Sequence, residues 1–74
     1  MLQIESYMQD HFDEGYIVRL AVEMDTVGDF VASIVDEKGN TLLDRQGDLY
    51  MTATADTLED ALAELDEMAG KADR

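Results

Sequence analysis

From Leu58 to Ala69 the apolar positions fall at Leu58, Ala61, Leu62, Leu65, Met68 and Ala69, the i, i+3, i+4, i+7 spacing of one helix face. At about 100° per residue they fill an arc of about 120°. Glu59, Asp60, Glu64, Asp66 and Glu67 are then expected on the opposite arc. Asp56 offers a cap, Glu59 three residues on completes a capping box, and Gly70 offers a C-terminal stop. Residues 71–74 are expected to fray.

The middle of the chain changes period. Val18, Leu20, Val22 and Met24 alternate with Arg19, Ala21 and Glu23, which predicts a strand within Tyr16 to Met24. Asp29 to Asp36 predicts a second strand, with Phe30, Ala32 and Ile34 on one side and Val31, Ser33 and Val35 on the other. Asp25-Thr26-Val27-Gly28 and Glu37-Lys38-Gly39-Asn40 read as turns. Thr41 to Arg45 reads as a third strand, interrupted at Gln46-Gly47-Asp48. Leu49 to Thr54 continues it past a bulge or forms a fourth. In residues 1–14, Leu2, Ile4, Tyr7, Met8 and Phe12 fit either a short helix or an edge strand.

The expected fold is α+β: an antiparallel meander of three or four strands, with a C-terminal amphipathic helix laid across one face. The opposite face then meets water, a second subunit or a partner, and Val31 and Val35 make it less than fully polar. At 74 residues the chain forms one domain, 1–74, of modest expected stability.

Charge adds a constraint. Eighteen acidic residues against five basic ones give a net charge of −13. Charge this lopsided can keep a chain unfolded. However, Leu, Ile, Val and Phe make up about 24% of the sequence, above the ~20% below which disorder is expected. No basic patch is available to neutralise phosphates, so direct nucleic-acid binding is disfavoured. Anionic membranes are disfavoured for the same reason. There is no apolar run long enough to span a bilayer and no basic, apolar leader at the N-terminus. The absence of cysteine fits a reducing cytosol.

The inventory for catalysis is thin. Without cysteine, a nucleophilic triad would have to join Ser6 or Ser33 to His11, the sole histidine, and neither serine sits in a nucleophile elbow. A surface histidine beside Asp10 and Asp13 is the simpler expectation. Neither His11-Phe12-Asp13-Glu14-Gly15 nor Asp36-Glu37-Lys38-Gly39-Asn40 has the alternating ligands of a calcium loop. The five glycines are scattered singly, so no phosphate loop is formed. No catalytic residue, metal site or cofactor is expected.

The acids themselves are the candidate chemistry. Five carboxylates between Glu59 and Glu67 span about 12 Å of helix, one per about 2.4 Å. Duplex DNA carries one charge per about 1.7 Å and a single strand one per about 3.4 Å. Asp36, Glu37, Asp44 and Asp48 add charge near the turns. Such a surface could occupy the basic face of a nucleic-acid-binding protein. A merely solvated helix face is the plainer alternative.

In size, acidity and strand–strand–strand–helix order, the chain resembles small phage-encoded inhibitors, among them anti-CRISPR proteins and other DNA mimics. That resemblance implies a non-enzymatic inhibitor in the cytosol of a bacterial host. It would meet a basic protein surface through Glu59, Asp60, Glu64, Asp66 and Glu67, with Asp36 and Glu37. Phe30-Val31-Ala32 followed by Ala55-Asp56-Thr57-Leu58-Glu59-Asp60-Ala61-Leu62 is also similar to the strand and capped helix of HicB-type antitoxin domains. Their usual proline-glycine turn and appended DNA-binding region are missing here. This second resemblance implies a structural or oligomerisation module, and leaves room for a homodimer through the open sheet face or an edge strand.

Overall fold

Register organises the sheet. In the computed structural model, which describes residues 2–71, the order is α1 (Leu2–Asp13), β1 (Val18–Met24), β2 (Phe30–Asp36), β3 (Thr52–Ala55) and α2 (Leu58–Lys71). The strands form an antiparallel sheet in the order β1-β2-β3. Leu20 lies opposite Ile34, Val22 opposite Ala32, and Ala32 opposite Ala53. This puts the apolar alternation of all three strands on one face, as the α+β reading requires.

That face carries two helices. The segment left open between helix and edge strand is α1, with Ile4 and Tyr7 one turn apart and both buried. Its end is closed by Gly15 at φ 93°. There the Tyr16 N–H reaches His11 O and the Gly15 N–H reaches Phe12 O, a Schellman arrangement. Ile4 and Tyr7 join Ala32, Ile34, Met51, Ala53, Ala61, Leu65 and Ala69 in one core. Each large side chain in it contributes about 1.5–3 kcal/mol of burial.

Helix α2 forms where its periodicity predicts, but its ends differ. Thr57 rather than Asp56 is the cap: its Oγ1 accepts the Asp60 N–H at 3.1 Å. Gly70 lies within the helix instead of ending it. A β-carbon there would stand 3.1 Å from Cγ of Gln3, so glycine lets α1 and α2 approach closely. The fraying expected of 71–74 concerns residues that, after Lys71, lie outside those described.

The third strand is corrected most. Thr41 bridges Val35 and the Leu42 N–H bonds Ile34 O, but the chain then leaves the sheet. It returns at Met51, whose N–H bonds Leu42 O and whose carbonyl accepts from Ile34 N. Thus β3 continues the line of Thr41–Leu42 past an excursion over residues 43–50, not a one-residue bulge. The excursion is pinned to α1: the Tyr7 hydroxyl donates to Leu43 O at 2.6 Å, Arg45 pairs with Asp10, and the Arg45 guanidinium lies 5.6 Å from the Tyr7 ring centre.

Candidate partner-binding surface

The acids divide by what their oxygens accept. Three aspartates share one local pattern: Asp25-Thr26-Val27-Gly28-Asp29, Asp36-Glu37-Lys38-Gly39-Asn40 and Asp44-Arg45-Gln46-Gly47-Asp48. In each, one carboxylate oxygen accepts the N–H groups two and four residues on, at 2.9–3.1 Å. In each, the glycine takes positive φ and donates its N–H to the aspartate carbonyl. Aspartate holds such turns because its short carboxylate mimics a backbone acceptor.

Hydrogen bonding from Asn40 N, aided by Lys38 and opposed by desolvation, keeps the Asp36 carboxyl below its ordinary range. Asp48 N does the same for Asp44. Of the acids expected to face a partner, Asp36 is therefore part of a turn, while Glu37 beside it is exposed.

Asp66 is placed differently from the other acids of α2. Its Oδ1 accepts the N–H groups of Gln3 and Ile4, each at 2.9 Å. Desolvation pushes this carboxyl up, but the Ile4 and Gln3 donors contribute to holding it below its ordinary value. On the helix circle Asp66 stands at the flank, one turn beyond Leu62, where the start of α1 packs. Glu59, Asp60, Glu64 and Glu67 remain exposed. Lys71 lies 3.5 Å from Glu67, both side chains largely in water, a pairing of small energetic weight.

Register builds a second concentration of charge. One step beyond the pairs Met24–Phe30 and Phe30–Ala55, the strand ends bring Asp25, Asp29 and Asp56 side by side. Desolvation, the charges of Asp25 and Asp56, and a hydrogen bond with Asp56 together raise the Asp29 carboxyl above its ordinary range. Thr57 follows, and then Glu59 and Asp60 in the first turn of α2. The positive end of that helix offsets part of this charge. Sequence reading missed this group, because Asp25 and Asp29 meet across one turn but only strand register brings Asp56 beside them.

Among the described residues no charged side chain is buried, and no group of His, Asp or Glu has the geometry to hold a metal ion. His11 packs on Tyr7 with ring centres 4.4 Å apart, and its Nδ1 lies 3.0 Å from Tyr7 O. It stands half-buried against α1 itself rather than as a free surface group. No described helix is long and apolar enough to cross a membrane.

A second surface is apolar. Between α1 and β1 runs an open groove lined by Met8, Phe12, Tyr16, Ile17, Val18 and Leu20, among others. Farther along β1, Val22 and Met24 are 45% and 60% exposed on the same face. No protein-family model, curated protein or solved structure matches this chain.

Proposed function

We propose that this protein is a non-enzymatic binding module of inhibitor type, whose acidic surface covers a basic face such as nucleic-acid-handling proteins carry. The supporting observation is the crowding of Asp25, Asp29 and Asp56, which adds to desolvation in raising the Asp29 carboxyl, at the end of the sheet from which α2 runs with the exposed Glu59, Asp60, Glu64 and Glu67. Like charges held together are in a state that a cationic partner relieves. Long-range attraction then speeds association, and salt opposes it. Asp36 and Asp66 support this surface structurally: their charge is spent on a turn and on a helix end. The contact acids are accordingly Glu59, Asp60, Glu64 and Glu67, with Asp29 and Asp56 at the margin, whereas Glu37 stands at the other end of β2, near the end of α1. The phage-inhibitor resemblance points the same way and suggests a bacterial cytosol as the place of action.

The test is a pull-down from bacterial lysate at about 50 mM and about 500 mM salt, with wild type beside the double variant Glu64→Lys, Glu67→Lys. The reading expects a basic protein retained at low salt, released at high salt and lost with the variant, whose circular dichroism stays native. Retention indifferent to both salt and charge reversal overturns it.

A further inference from the structure

The edge of the sheet has its own chemistry, and it does not depend on the acidic surface. β1 is an outer strand of seven residues. The other edge, β3, has four. Edge strands are commonly guarded by proline, a bulge or an inward-pointing charge. β1 has none of these: there is no proline in the chain, its pairing with β2 is unbroken, and its helix-side residues are Val18, Leu20, Val22 and Met24.

Hydrogen-bond parity shows which groups are open. Just past the strand, the Asp25 N–H bonds Asp29 O of the β2 side. Alternate residues of an antiparallel ladder serve the same neighbour, so Arg19, Ala21 and Glu23 turn their main-chain groups toward β2. Val18, Leu20, Val22 and Met24 turn theirs outward, along the edge.

The strand is also symmetric in character about Ala21. Reading outward from it, Leu20 answers Val22, Arg19 answers Glu23, and Val18 answers Met24. We infer that a second copy of this chain pairs with β1 antiparallel, with Ala21 on a twofold axis perpendicular to the sheet, giving one continuous six-stranded sheet. In that register Leu20 exchanges both main-chain hydrogen bonds with Val22 of the second copy, using the outward-facing groups. On the open face Arg19 stands opposite Glu23 of the second copy, twice by symmetry, in the closer, non-hydrogen-bonded type of pair. Arg19 now reaches the carbonyls of Asp36 and Glu37 at 3.5 and 3.3 Å, long contacts that it can exchange for a carboxylate.

The helix-side face argues for the same occupant. A perpendicular twofold keeps both helix layers on one side. Val22 and Met24 of the second copy then lie beside Leu20 and Val18, at the mouth of the groove under Met8 and Phe12. The apolar side chains that one copy leaves in water meet the groove that the other leaves open. Moving the axis by one residue, to Leu20 or Val22, slips the register by two and breaks the Arg19–Glu23 match, whereas a slip of one sets inward-facing residues against outward-facing ones.

Sedimentation equilibrium from micromolar to millimolar protein, at low and high salt, reads the association. A monomer–dimer equilibrium is expected, and because each chain carries −13, salt should tighten it, opposite to its effect on a cationic partner. Arg19→Glu and Glu23→Arg should each raise the dimer dissociation constant about tenfold or more, and the double swap should restore it, as two opposed pairs imply. Independently, Ala21→Cys places the only thiols of the dimer at Cα positions about 4.5 Å apart, within disulfide reach. Mild oxidation should give a covalent dimer, and Thr54→Cys on β3 should not. A chain that stays monomeric to millimolar concentration in high salt overturns the inference. So does a dimer unmoved by either single swap, or Ala21→Cys that fails to cross-link.

Discussion

Asp66 of α2 accepts the main-chain N–H of Ile4 in α1 across 62 residues of sequence, at 2.9 Å. The Gln3 N–H binds the same oxygen, so one helix caps the other. The donors lie at the positive end of α1, where a carboxylate also gains from the helix dipole. Asp66→Ala should therefore cost about 1–2 kcal/mol, as loss of a cap does, and lower the melting temperature by about 4–8 °C per kcal/mol. Asp66→Asn, which keeps an acceptor but no charge, should fall between. Thermal melts by circular dichroism provide the measurement.

Tyr7 is fully buried and donates to Leu43 O. Burial raises its phenol above the ordinary range, with Arg45 opposing. Tyr7→Phe keeps the ring in the core and removes the tether, at a cost of about 1 kcal/mol. Amide exchange at Asp44 and Met51, whose N–H groups bond Leu49 O and Leu42 O and so close the excursion, should quicken more than exchange in β2. Equal acceleration throughout would show that the hydroxyl does not hold the loop.

Glycines should respond according to backbone. Gly39 sits at φ 89°, where a β-carbon costs about 1–2 kcal/mol, so Gly39→Ala should destabilise by that amount in urea titration. Gly70 is helical, and alanine there gains about 1 kcal/mol of propensity. Its new β-carbon crowds the exposed Gln3 side chain at 3.1 Å, which can shift aside. Gly70→Ala should lie within about 0.5 kcal/mol of wild type or above it.

Stability should pass through a maximum on acidification. The Asp29 carboxyl is raised in the fold, so its unfavourable charge disappears as pH falls through its folded value, and stability grows. Asp36, Asp44 and Asp66 are lowered. Their contribution is complete above the unfolded carboxylate value of about 3.9 and is lost as pH falls through their folded values. Melting temperature followed from pH 7 downward should first rise, then drop below about pH 4. Asp29→Asn should flatten the rise and leave the drop. A monotonic fall from pH 7 would contradict the crowding.

The helix of 58–71 and the strands of 18–24 and 30–36 were readable because their hydrophobic period and their burial coincide. α1 was not, since the carboxylate that caps it stands on another helix and leaves no trace near Ile4. The excursion could have been found: Asp44-Arg45-Gln46-Gly47-Asp48 repeats the spacing of Asp36-Glu37-Lys38-Gly39-Asn40, and a repeated turn signal marks a second reversal rather than a bulge. For the acidic surface, a helical circle gives a residue's direction but not its neighbours. Asp66 sits on the edge of the polar arc, and whether that edge is wet depends on α1. Asp25 and Asp29 close one turn, but Asp56 joins them only through strand register.

The Asp66–Ile4 contact also orders events on the ribosome. Ile4 is synthesised 62 residues before its acceptor, an interval of about 3–12 s at ordinary elongation rates, whereas a helix forms in about a microsecond. The nascent α1 must wait, its leading amides held by water, until α2 emerges. α1 and α2 are thus completed together, and a ribosome paused before Asp66 holds a chain that cannot yet close.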